Sequence, residues 1–346
     1  MSLPFSKLPD KLPDTGLVGQ YGAYIPAPGL VHAANTALGL GMPLLLTGEP
    51  GCGKSDFAWA AAKALGLKKP LCCQVRSDTR ARDLLYHYDA LVRFADAQAQ
   101  VPRAREPRHY VSLRPLGVAL MSPGRRQVVR IDEIDKAPRD LPNDLLLELD
   151  EGNFEIPELG EFDPKAPPIG DRKHVDIALR RDMERPDGVP RPLVIITSNA
   201  ERQLPEPFLR RCVFFHISLP AKQEERMMVL RKILEGRFDH DKTVSPELLG
   251  TIATVFLALR DHSRDLIKAP TIAEMLRWTE ALTQLYARRS VVDTLGDFLK
   301  ALGGGGGKLP ADKTPGWGDL PGLSCLIKHK DDLKTIGAYA RDADPA

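Results

Sequence analysis

Residues 43–55 read PLLLTGEPGCGKS. Three leucines, Leu44, Leu45 and Leu46, form an apolar run suited to a buried parallel strand. The run opens into a glycine-rich turn that closes on Lys54 and Ser55. Gly48, Gly53, Lys54 and Ser55 satisfy the spacing G-x-x-x-x-G-K-[ST]. Glycines at those positions let successive backbone N–H groups turn inward around phosphate oxygens. Lys54 is placed to reach β- and γ-phosphates, and the Ser55 hydroxyl to bind Mg²⁺. A helix starting here would direct its positive end at the same phosphates. Phe57, Ala61, Ala64 and Leu65 do recur at helical spacing, with Gly66 as a candidate C-cap. Strand, loop and helix in that order distinguish a phosphate loop from a chance glycine turn.

Two later apolar runs end in polar residues in the same manner. In QVVRIDEIDK, residues 127–136, Val128, Val129 and Ile131 predict a strand with Asp132 and Glu133 at its C-terminal end. Open α/β sheets bind ligands at that edge. Asp132 is placed to hold Mg²⁺ through water, and Glu133 to polarise an attacking water. Arg130 is out of keeping with a buried strand and requires a partner or a route to solvent. In PLVIITSN, residues 192–199, Asn199 can reach a γ-phosphate or the water beside it. Arg210 and Arg211 then precede a further apolar run, Cys212 to Ile217. Paired arginines there can be snorkelling side chains, or can reach a neighbouring subunit's γ-phosphate as arginine fingers do.

The 346 residues exceed what one compact core usually holds, so two domains are expected. A hydrophobic fraction of 43% and a charged fraction of 27% are ordinary for a globular chain. The net charge of +2 carries no global polyanion signal, so any nucleic-acid site would be a local patch. Cys52, Cys72, Cys73, Cys212 and Cys325 make no CxxC pair, which fits buried thiols in a reducing compartment. The opening MSLPFSKLPDKLPD is broken by prolines and lacks an apolar signal core. No apolar run approaches the roughly 18 residues that span a bilayer. A cytoplasmic protein with no membrane partner is expected.

Apolar runs predict five strands, at 44–47, 71–75, 128–132, 193–198 and 212–218, with helical patterns between them. From residue 221 the pattern is all-helical. The expected domains are an α/β nucleotide-binding unit at 1–220, a helical lid at 221–302, and a Gly/Pro-rich linker with a helix near 324–341 at 303–346. An insert at about 153–191 reads as a hairpin followed by a long surface loop. Arg103, Arg105, Arg108, Arg114, Arg125, Arg126 and Arg130 cluster with Tyr110 among them. They read as a solvated face with ion pairs, in preference to a basic surface for an acidic partner or nucleic acid. His87, His109, His174 and His216 show no ligand spacing, so no zinc site is expected.

Phosphate loop, IDEID, TSN and LPEPFLRRC follow one another in the order found in AAA+ ATPases. The chain most resembles the MoxR-like branch, close to the dynein-related group. YIPAPGLVHAANTALGLGMPLLLTGEPGCGKS and SDTRARDLLYHYDA look like that branch, and the resemblance covers about residues 20–285. It implies an AAA+ P-loop fold, with a five-stranded parallel sheet flanked by helices and a small helical lid. It implies ATP and Mg²⁺ as cofactors and a homo-oligomeric ring, usually a hexamer. By position, Gly48, Glu49, Pro50, Gly51, Cys52, Gly53, Lys54, Ser55 and the following Asp56 form Walker A. Asp132 and Glu133 form Walker B, with Ser55 and Asp132 toward the metal. Asn199 is sensor 1, and Arg211, with Arg210 beside it, takes the arginine-finger position. Tyr24 and Ile25 lie where the family packs adenine. No N-K-x-D motif is present, which favours ATP over GTP.

The chain departs from the family at sensor 2. Thr271 and Glu274 make a capping box in KAPTIAEMLRW, which starts a helix near Ile272. The expected arginine position then holds Ile272 or Ala273, and either Arg277 substitutes or sensor 2 is absent. The resemblance also implies a protein client, often one with a von Willebrand factor A domain. Rival readings are a nucleic-acid motor or antiviral-defence subunit, and a nucleotide-gated scaffold that does not hydrolyse.

Overall fold

The computed structural model describes residues 11–122, 126–160, 177–185, 188, 190–238, 244–261, 266–285, 295 and 320–335. Arg125, His174 and the glycine run at 303–307 lie outside them. The described chain runs α1 (Leu30–Leu40), β1 (Leu44–Gly48), α2 (Lys54–Ala64), β2 (Leu71–Gln74), α3 (Ala81–Leu85), β3 (Tyr86–Tyr88) and α4 (Ala90–Gln98). It continues β4 (Val111–Leu113), α5 (Pro115–Met121), β5 (Val128–Asp132), α6 (Leu141–Asp144), α7 (Leu146–Glu151), β6 (Phe154–Glu155) and β7 (Asp182–Met183). Then follow β8 (Leu193–Ser198), α8 (Glu206–Leu209), β9 (Val213–Ile217), α9 (Gln223–Phe238), α10 (Pro246–Asp261) and α11 (Ile272–Leu285).

The five expected strands form one parallel sheet in the order β2-β5-β8-β1-β9. Strand β1 lies between β8 and β9, and its three leucines are fully buried. This explains their continuous apolar run, since a central parallel strand is covered on both faces. The ends of β5 and β8 therefore lie side by side, with Ile131 opposite Ile196. Helix α2 buries Phe57, Ala58, Ala60, Ala61 and Ala62, and Gly66 closes its end at φ 75°.

The chain divides into two compact units. The first comprises the residues up to Gln20, Pro26–Gly48 and Lys54–Ile217. The second comprises Tyr21–Ile25, Glu49–Gly53 and the residues from Ser218 onward. Its core is helical, built on Leu230, Leu234, Ile252, Phe256, Met275 and Trp278. Thr271 and Glu274 form the expected capping box: Glu274 accepts from the Thr271 backbone at 2.7 Å, and the Thr271 hydroxyl accepts in return at 3.4 Å.

Two expectations are corrected. The insert does not begin with a local hairpin. Phe154 pairs with Met183 and Glu155 with Asp182, so the antiparallel pair brackets the segment. Burial decides this, because Phe154, Ile156, Ile177, Leu179 and Met183 all join the core of the first unit. Residues 161–176 lie outside the described set. Nor is the last helix continuous. Helices Leu323–Leu326 and Lys330–Thr335 are separated at Ile327, which is extended and buried. The buried Asp332 carboxylate accepts from the Ile267 and Lys268 backbones at 2.6 and 3.2 Å, fixing the second helix in place.

Candidate nucleotide site

In the first unit, the C-terminal ends of β1, β5 and β8 bring the expected residues together. The Lys54 ammonium, buried at the start of α2, donates to the Gly48 carbonyl at 2.7 Å. The Ser55 hydroxyl donates to Asp132 Oδ1 at 3.0 Å, and the Thr197 hydroxyl donates to the same oxygen at 3.1 Å. Asp132 is buried, as a carboxylate can be when it is hydrogen-bonded and paired with a cation.

Glu133 leaves the strand in the left-handed conformation, at φ 58°. Its N–H donates to the Thr197 hydroxyl at 3.1 Å, which offsets the cost of that backbone. Its carboxylate Oε2 is 2.8 Å from the Lys136 ammonium and accepts from the Gln74 amide at 3.3 Å. The Lys136 pKa is raised by its hydrogen bond and charge contact with Glu133. Asn199 is held by its backbone, whose N–H donates to Asp135 Oδ2 at 3.1 Å. The Glu201 N–H reaches the same oxygen at 3.0 Å, so buried Asp135 pins the turn after β8. Asp56 accepts from the Gln20 N–H at 2.6 Å, which turns its carboxylate toward that backbone.

The glycine-rich turn packs within the second unit. Gly51 and Gly53 have φ of 76° and 94°, a region that side-chain-bearing residues rarely adopt. A Cβ on Gly51 would stand 2.6 Å from the Ala273 methyl, and one on Gly53 would stand 3.3 Å from the Tyr24 ring. Cys52 donates its N–H to the Glu49 carbonyl at 3.2 Å. Arg260 grips the turn: Nη2 lies 2.7 Å from both Glu49 carboxylate oxygens, and Nη1 donates to the Pro270 carbonyl at 2.7 Å. Tyr24 is buried, whereas Ile25 and Ala273 are half-buried and Arg277 and Pro50 are exposed. Arg277 is one turn beyond Ala273 on the same face of α11.

Removing Arg260 deletes its ion pair with Glu49 and leaves the turn less ordered. Arg260→Ala is expected to weaken ATP binding roughly tenfold, the scale of one charge-assisted hydrogen bond. Titration with a fluorescent nucleotide measures this, and unchanged affinity would show that the grip is unimportant.

Residues 43–212 match the family model described as the AAA domain of the dynein-related subfamily. These residues have an AAA+ P-loop fold. No curated protein matches the chain. Among solved structures, a RuvB mutant of Thermotoga maritima is 15% identical, with a TM-score of 0.42, and covers 79% of this chain and 68% of its own. A candidate ATPase from Cytophaga hutchinsonii is 14% identical, with a TM-score of 0.33, and covers 77% and 88% respectively. An AAA+ domain of this kind implies ATP as the ligand.

The outer residues of the AAA+ domain are engaged within the chain. Arg211 Nε lies 2.6 Å from Asp150 Oδ2, and its Nη1 donates to the Pro207 carbonyl at 3.2 Å. Arg210 is paired with Glu206 at 3.2 Å and is largely exposed. In the arginine-rich segment, Arg103 is paired with Asp96 at 2.7 Å, and the Tyr110 hydroxyl donates to the same carboxylate oxygen at 2.6 Å. Cys73 and Cys212 are buried, and burial pushes both thiols up to about 12. No helix among the described residues is long and apolar enough to cross a membrane.

Sequence reading did not find Gln74, Asp135, Thr197 or Arg260. The second aspartate of IDEID and the threonine of TSN were visible in the motifs themselves. Gln74 and Arg260 carry no local signal.

Proposed function

We propose that this protein is a MoxR-type AAA+ ATPase. It assembles as a homo-oligomeric ring, a hexamer in this reading, and uses ATP hydrolysis to remodel a protein client, such as a von Willebrand factor A domain protein. The observation that carries the proposal is the convergence of Ser55, Thr197 and Asp132 beside Glu133 and Lys54 at one edge of the sheet. The oxygen donors Ser55 and Asp132 suit Mg²⁺, a hard cation that keeps several waters and takes one or two carboxylates. When bound, Mg²⁺ supplies charge neutralisation to the phosphates.

The chain's own residues do the rest. Lys54 binds the β- and γ-phosphates. Glu133 orients a water and accepts its proton as the water oxygen bonds to the γ-phosphorus and the bridging oxygen leaves with ADP. Asn199 acts on the γ-phosphate or that water. Arg211, with Arg210 beside it, meets the γ-phosphate of a neighbouring subunit. Tyr24 and Ile25 flank the adenine, and Arg277 takes the sensor 2 role from the face of α11. In this reading residues 1–220 bind nucleotide, 221–302 form the lid, and 303–346 are an appendage.

Two rival readings have less support. The nucleic-acid reading draws on the arginine-rich segment, but Arg103 already faces Asp96. The non-hydrolysing scaffold is opposed by the presence of Glu133. A turnover assay tests the proposal, with Mg²⁺-dependent release of phosphate from ATP as the expected result. Lys54→Ala is expected to abolish nucleotide binding, because the phosphates lose their main cation. Absence of turnover in assembled wild-type protein, or full binding by Lys54→Ala, would overturn the proposal.

A further inference from the structure

Arg130 lies within β5, two residues before Asp132 and on the same face of the sheet. The flanking strands place Cys72 and Ile195 opposite it, and neither carries a formal charge as a neutral thiol and an alkyl group. Its partners lie in the candidate metal site. Arg130 Nε is 2.7 Å from Asp132 Oδ2, and Nη1 donates to the Ser55 carbonyl at 3.3 Å. The two side chains are only 16% and 10% exposed. The Nε hydrogen is not aligned with the carboxylate oxygen, so the contact is chiefly Coulombic. Asp132 Oδ1 is already engaged by the Ser55 and Thr197 hydroxyls. Both carboxylate oxygens are thus occupied, one of them by a permanent cation.

We propose that Arg130 is the resident counter-cation of the Asp132 site, weakening Mg²⁺ binding there and strengthening the binding of metal-free nucleotide. The inference rests on reading Asp132 as the metal carboxylate. A guanidinium cannot lose its charge at physiological pH. In a partly buried site, a unit charge a few ångströms from a divalent ion repels it strongly enough to change affinity by an order of magnitude or more. The same charge attracts the phosphates of a nucleotide that arrives without a metal. Arg130 is therefore a positioning and affinity-setting residue, and it takes no part in bond making.

The test reads binding in the absence of turnover. A fluorescent, non-hydrolysable ATP analogue is titrated in EDTA, and then at fixed concentration against rising Mg²⁺. Arg130→Met is expected to weaken binding in EDTA roughly tenfold and to lower the half-saturating Mg²⁺ concentration roughly tenfold. Arg130→Lys, which keeps the charge, should stay near wild type. A purely structural role would not move the two readouts in opposite directions. If Arg130→Met does not fold, Arg130→Gln removes the charge but keeps a donor, with the same shifts expected. An unchanged or raised Mg²⁺ midpoint in the neutral variant overturns the proposal. Asp132→Asn separates the two levels. If it raises the Mg²⁺ midpoint while the neutral Arg130 variants do not lower it, only the role of Arg130 fails. If Asp132→Asn leaves the midpoint unchanged, the metal-site reading fails and the proposal falls with it.

Discussion

Glu133→Gln is expected to bind ATP with near-normal affinity and to hydrolyse it about 10²–10⁴-fold more slowly, the range set by loss of a general base. The amide has nearly the same shape but cannot accept the proton of the attacking water. The backbone at residue 133 should survive, because it is held by an N–H bond to the Thr197 hydroxyl and not by the side chain. The amide oxygen can still accept from the Lys136 ammonium and the Gln74 amide, which reach one carboxylate oxygen in the wild type. Loss of the half-exposed ion pair itself should cost little stability. Single-turnover hydrolysis, with ATP affinity measured alongside, checks the expectation. Hydrolysis at the wild-type rate would remove Glu133 from the water-positioning role.

The second large effect concerns assembly. Arg211→Ala is expected to bind ATP nearly normally and to lose about 10³-fold in turnover, by analogy with arginine fingers that act between chains. Arg211 is held by Asp150 and the Pro207 carbonyl of its own chain. To serve a neighbour it must exchange these contacts for a phosphate, or share them. Mixing Arg211→Ala with Lys54→Ala gives the sharper measurement. In the proposed ring, mixed assemblies would contain interfaces that pair an intact Lys54 site with an intact Arg211, which neither variant has alone. Activity should therefore return in part. If it does not return although the variants co-assemble, the finger is not Arg211 acting in trans, and Arg210 becomes the residue to test.

The parts legible in the sequence were those with a local code. Spacing alone singled out Lys54 and Ser55 as candidates, and an apolar run ending in acids singled out Asp132 and Glu133; the structure sets the four at one edge of the sheet. The five sheet strands were legible because buried parallel strands are continuously apolar, which requires no knowledge of their neighbours. Strand order was not legible, and with it went the contacts across the sheet edge. Thr197 reaches Asp132 only because β8 lies beside β5. Gln74 reaches Glu133 only because β2 lies on the other side of β5. Arg130 was recognisable as anomalous, but its partner depended on the side-chain direction within the strand. The continuous helix expected near 324–341 failed because helical propensity says nothing about the burial of Ile327 or the hydrogen bonds of Asp332.

Glu49–Gly53 packs with the helical unit, whereas Gly48 and Lys54 belong to the sheet unit. No single cut along the chain can therefore separate the two units cleanly. A fragment ending at Ile217 would keep every residue of the glycine-rich loop and discard Arg260, which holds its Glu49 carboxylate, and Ala273, which lies against its Gly51. A foreign helical unit grafted after Ile217 would meet the same barrier. Gly51 leaves no room for a side chain beside Ala273, and Glu49 needs a cation at the end of α10. Turn and helical unit would have to be exchanged together, as a matched pair, in recombination or in a designed chimera.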